Sequence, residues 1–198
     1  MIYPWQIEIW NKLFAKIGRL PHALLLAGPE GGGKQVFAQS LAARLLCEKA
    51  SGSEEACGKC PSCNWFSSGN HPDFRLIEPG GDEPEDIEAE SEAATLKKKS
   101  EQIRISQVRA LDGFMSIGTH RQGARVIVIR PAEAMNPATA NALLKMLEEP
   151  SPSTLFILIT NNRRRLSRGT RSVAAHHGGD TSSPADSRSY LRGSGSPH

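Results

Sequence analysis

Nowhere does the chain hold a run approaching the roughly 18 to 20 apolar residues needed to cross a bilayer, so no spanning helix is expected. Its opening residues, MIYPWQIEIWNKL, also lack the basic, apolar and small-residue blocks of a secretory leader. These two absences predict a soluble protein of the cytoplasm. Cysteine is scarce, with only four residues, and all of them lie between positions 47 and 63. In a compartment that keeps thiols reduced, cysteines crowded so closely favour a metal over disulfides. No internal repeat is visible. The 198 residues and an apolar fraction of 38% suffice for one domain with a buried core, plus a tail.

Excess charge of one sign is also missing from most of the chain. The net charge is +3, but residues 163–198 hold seven arginines against Asp180 and Asp186, leaving the remainder with 17 basic and 19 acidic residues. The body therefore lacks a global electrostatic footprint for nucleic acid, and aromatic and basic residues do not interleave along it. A zinc-dependent nucleic-acid-binding module is thus the weakest of the functional readings.

What is present is an alternation of helical and extended patterns. Pro4 suits a first helical position, and Trp5, Ile9, Trp10, Leu13, Phe14 and Ile17 recur at helical spacing over residues 4–17. The run His22 to Ala27 predicts a buried strand, followed by a glycine-rich turn and a helix from Lys34 to Cys47. A His71-Pro72 turn leads into a strand over 73–77. Glu78 to Glu92 holds eight carboxylates and no cation, so residues 78–100 are expected to form a solvated, mobile insertion. Ser106 is the expected N-cap of a helix carrying Val108, Leu111 and Phe114. Arg125 to Ile129 and Thr154 to Ile159 predict two further strands. Between them Asn136-Pro137 starts a helix with Leu143, Leu144 and Leu147 on its buried stripe. Strands alternating with helices predict an α/β fold: a right-handed, mainly parallel sheet flanked by helices. From Leu166 only seven of the last 33 residues are apolar. Residues 166–198 are therefore expected to be a disordered tail beyond a domain of residues 1–165.

Gly28-Pro29-Glu30-Gly31-Gly32-Gly33-Lys34 fits G-x-x-x-x-G-K, and it stands between a predicted strand and a predicted helix as a phosphate loop requires. Glycines let backbone N–H groups turn toward phosphate oxygens, and Lys34 would reach the outer phosphates. The plainer alternative is a tight turn with an exposed lysine. Gln35 stands where a Ser or Thr hydroxyl would hold magnesium, and the β-branched run ending at Ile129 is followed by Arg130 and Pro131 rather than by an acid. A cation at the metal position repels magnesium, although it can pair with phosphate. Glu133, three residues further on, reads as a surface carboxylate. ATP binding is expected to be weak or absent, without magnesium-dependent hydrolysis and with no catalytic residue.

Cys57, Cys60 and Cys63 follow a C-x-x-C-x-x-C spacing, with Cys47 ten positions earlier. Four thiolates in 17 residues can close a tetrahedral structural zinc site, the module spanning 47–63. A redox pair and an iron–sulfur cluster are the alternatives. His71 reads as part of its turn rather than as a ligand.

The segment from Pro21 to Lys34, the four cysteines, His71-Pro72-Asp73, and the stretch Ala140 to Pro150 occur in that order, and together they resemble the AAA+ (P-loop type) module of bacterial DNA polymerase III clamp-loader subunits over about residues 1–165. Asn141 to Pro150 is the most specific element. Within the family, motor subunits of the gamma/tau type carry a complete phosphate loop and an acidic pair, whereas the delta-prime type tolerates their loss. Gln35, Arg130 and Pro131 favour the second, leaving the active motor as the alternative. The resemblance implies DNA replication as the setting and a non-hydrolysing stator beside delta and gamma/tau subunits. The sliding clamp and primed DNA would be reached indirectly, and Asn161 would fall at the sensor position. Family members continue through a Ser-Arg-Cys motif whose arginine reaches a neighbour's nucleotide. Here Ser167-Arg168-Gly169-Thr170 stands instead, and Arg168 is expected to lack a scaffold that would hold it for that role.

Overall fold

In the computed structural model, residues 2–15, 20–80, 101–119 and 123–171 are described. A 3-10 turn, Pro4–Gln6, leads into α1, Ile7–Phe14. Then follow β1 (Ala23–Ala27), α2 (Lys34–Leu46), α3 (Pro61–Ser67), β2 (Phe74–Ile77), α4 (Ile105–Ser116), β3 (Arg125–Ile129), α5 (Pro137–Glu148) and β4 (Thr154–Thr160). The strands form one sheet in the order β1-β4-β3-β2, every neighbouring pair parallel.

Alternation along each strand sorts the core into two layers, since successive side chains leave opposite faces of a strand. Ile127, Ile129, Phe156 and Leu158 meet Val108 and Leu111 of α4 and Leu143 and Leu147 of α5. Val126, Val128, Leu155 and Ile157 meet Trp10 and Phe14 of α1 and Phe37 and Leu41 of α2. With both faces covered, β3 and β4 are buried along their whole lengths, which is why they read as continuous apolar runs.

Several boundaries differ from those expected. The opening helix is 3-10 over its first turn, and Ile17 lies outside the described residues. Ser106 is not an N-cap: α4 begins at Ile105, and the Gln107 side chain accepts from the Arg104 N–H at 2.9 Å, fixing the start two residues earlier. Asn136 does cap α5, accepting from the Thr139 N–H at 2.8 Å.

Beyond the expected boundary at residue 165, described structure continues to residue 171. After a 3-10 turn at Arg163–Arg165, Leu166 is 4% exposed within the core layer of α4 and α5. Ser167 Oγ accepts from the Thr170 N–H at 3.2 Å and starts a helical turn over 168–171, whose Thr170 is fully buried. Two well-placed side chains, Leu166 and Thr170, suffice to dock six residues whose composition looks unstructured. Residues 172–198, and residues 81–100 of the acidic insertion, lie outside the described residues.

Candidate phosphate cleft and cysteine cluster

All strands of a parallel sheet end on the same edge, and the register shows what meets there. Ile77 pairs with Ile129, Ile129 with Leu158, and Leu25 with Leu158. The residues just past each strand, Glu78, Arg130, Asn161 and the glycine loop, therefore converge although they are scattered through the sequence. They line a cleft of about 800 Å³ together with Tyr3, Gly31, Gly33, Lys34, Gln35 and Glu101.

The loop turns tightly through its glycines. Gly31 and Gly33 hold φ of +78° and +76°, a region open to glycine at little cost, and Gly33 immediately precedes α2. Gly28 and Gly32 shape the turn without lining the cleft: the Gly28 N–H reaches the Thr160 carbonyl at 3.3 Å and the Gly32 N–H reaches Pro29 O at 3.4 Å. The opening segment packs on the loop. Gln6 donates from Nε2 to the Gly33 carbonyl at 3.0 Å and accepts the Tyr3 N–H at 3.1 Å, and a Cβ on Gly33 would stand 2.7 Å from the Tyr3 ring.

Lys34 and Arg130 each find one partner within the chain. Lys34 Nζ donates to Pro29 O at 2.6 Å, and burial holds its pKa below the ordinary lysine value while Glu133 and Glu30 pull the other way. Arg130 forms an ion pair with Glu78 at 2.6 Å. Two expectations are corrected here. Glu78 belongs to the cleft rather than to a solvated insertion, because β2 ends in register with β3. Glu133 is half-buried rather than a free surface carboxylate: it sits on the 3-10 turn Ala132–Ala134, its Oε1 accepts the Asn161 N–H at 2.9 Å, and its Oε2 is buried. Asn161 lines the cleft as well. Tyr3, Gln6 and Glu101 are left out of the sequence reading, and Glu78 and Glu133 are assigned there to solvent. Only Glu78 carried a signal, as the first residue after its strand.

The four cysteine sulfurs lie within 4.8 Å of one another, with Cys47 to Cys60 and Cys57 to Cys63 both at 3.9 Å. Sulfurs at about 2.3 Å from a tetrahedral ion are about 3.8 Å apart, so the set fits a thiolate-bound metal. No disulfide joins them. The Cys57 N–H points to Cys47 Sγ and the Cys63 N–H to Cys60 Sγ, each at 3.4 Å, bonds that offset thiolate charge. The backbone N–H groups of Lys59 and Cys60 lower the Cys57 pKa, whereas burial raises that of Cys63. Cys60 caps α3, Pro61 begins it, and Glu48 accepts from Ser62 Oγ at 2.8 Å, tying the two halves of the cluster together. Arg44 to the Gly52 carbonyl at 2.8 Å and Trp10 Nε1 to the Ser53 carbonyl at 2.7 Å anchor the loop between. His71 stays apart from the sulfurs, its Nδ1 accepting the Asp73 N–H in the expected turn.

Residues 5–174 match the family model described as DNA polymerase III, delta subunit. The chain belongs to that family. Among this member's relatives, DNA polymerase III subunit delta' of Pseudomonas aeruginosa is 41% identical over 83% of the chain and 44% of its own length. The protein of the same name from Escherichia coli is 31% identical over 88% of the chain and 48% of its own length. The chain thus spans about half the length of the curated relatives it matches. A DNA polymerase III gamma subunit-related protein of Thermotoga maritima shares the fold, with a TM-score of 0.54 at 16% identity over 94% of this chain and 49% of that one.

Proposed function

We propose that the chain is the P-loop-type part of a delta-prime clamp-loader subunit that supports neighbouring subunits without hydrolysing ATP. The observation that carries this reading is Arg130 at the end of β3, paired with Glu78 where a magnesium-binding carboxylate would stand. Gln35 removes the other usual oxygen ligand, which leaves the glycine loop and Lys34 without a magnesium site. Such a module would act by shape, holding delta and gamma/tau subunits in place while the motor subunits open the clamp for primed DNA.

The cysteine cluster is read as a structural zinc site held by Cys47, Cys57, Cys60 and Cys63. A bound zinc would stiffen the loop between α2 and α3, and with four protein sulfurs it leaves no open position for catalysis. Arg168 stands exposed on the helical turn over 168–171, with Gly169 packed against Leu144.

The reading is tested by steady-state ATPase assays with magnesium, alongside binding of the chain to purified gamma/tau and delta subunits. Background turnover together with complex formation is the expected result. Magnesium-dependent turnover abolished by Lys34→Ala would instead establish the motor reading, for which Glu133 beside Lys34 is the one favouring observation.

A further inference from the structure

The cleft is crowded with carboxylates for a site that would take phosphate. Glu30, Glu78 and Glu101 line it against Lys34 and Arg130, three negative charges to two positive. A metal-free triphosphate entering there meets net like charge, and the usual remedy, magnesium, has lost its ligands. Yet Arg130 is well placed to serve in its stead. Its Nε is buried with no hydrogen-bond partner among the described residues, and one of its two terminal nitrogens, Nη2, pairs with Glu78. A guanidinium with donors to spare binds phosphate oxygens in bidentate fashion.

We propose that Glu78 is the resident counter-ion of the phosphate cleft: it occupies Arg130 and excludes phosphate anions, and without it the cleft binds a nucleoside triphosphate free of divalent metal. The proposal rests on the non-hydrolysing reading above and names the residue that would keep phosphate out of that cleft. Glu78 owes its position to the register of β2 on β3, which sets Glu78 and Arg130 side by side just past Ile77 and Ile129. Its side chain is 38% exposed, so the pair contributes little to folding and the carboxylate can be removed without collapse.

The test is calorimetric titration of the full chain with ATP in EDTA, with thermal melts confirming that each variant is folded. Glu78→Gln is expected to bind at least about tenfold more tightly than the unaltered chain, and equally well when magnesium replaces EDTA. Adding Arg130→Ala to Glu78→Gln returns affinity to the starting level. Glu101→Gln removes the same charge from the same cleft without releasing Arg130, and gains less than about threefold. Should Glu78→Gln melt early, Glu78→Ala provides the same release. Equal affinity of the unaltered chain and Glu78→Gln, an equal gain from Glu101→Gln, or a magnesium requirement would each overturn the proposal. Magnesium-dependent turnover by the unaltered chain would end the stator reading but leave this comparison in EDTA intact.

Discussion

Gly33 shows how one position joins loop geometry to packing. It holds a φ of +76°, and an added Cβ would stand 2.7 Å from the Tyr3 ring and 2.9 Å from Gln6 Nε2. Gly33→Ala therefore meets both backbone strain and a clash. A loss of about 1–3 kcal/mol is expected in urea unfolding, and near-neutrality would show that the opening segment is not seated on the loop. Cys60 carries a different load. Its sulfur is a candidate ligand and caps α3, and its side chain is 1% exposed. Cys60→Ser should bring bound zinc well below stoichiometric in elemental analysis and lower the melting temperature by more than about 5 °C. Unchanged zinc content would remove Cys60 from the ligand set.

Among the elements, α5 has the most legible ends. Asn136 caps it, Pro137 occupies the first position without wasting a donor, and Pro150 follows closely after Glu148. Asn136→Ala leaves the Thr139 N–H without its acceptor and should cost about 1 kcal/mol in urea unfolding. Helix α4 is less legible because two of its anchors come from elsewhere. Arg125, on β3, donates to the Met115 and Ile117 carbonyls at the helix C-terminus, and its guanidinium lies 4.7 Å from the Phe114 ring centroid. Gln107 Nε2 reaches the Glu78 carbonyl at 3.1 Å. Arg125 is 3% exposed, so Arg125→Leu should cost about 2–4 kcal/mol by leaving those carbonyls unsatisfied. A cost below about 0.5 kcal/mol would show that the arginine does not secure the helix end.

For the whole molecule, the decisive boundary is the one near residue 166. Because Leu166 and Thr170 are buried against the body, a chain ending at residue 171 should be more stable than one ending at 165 by about 2–4 kcal/mol. Equal stability of the two would return the boundary to 165. Composition could not reveal this, since a single buried leucine among arginines and glycines leaves no periodic signal. The sequence alone determined the strands, the helices behind them, the glycine loop and the four cysteines. Each rests on short-range spacing, either an alternation, a turn or a few residues between ligands. Only the tertiary structure decided that Tyr3, Glu78 and Arg130 share one cleft. A parallel sheet gathers the ends of all its strands on one edge, and which ends become neighbours depends on strand order and register, which no local pattern encodes.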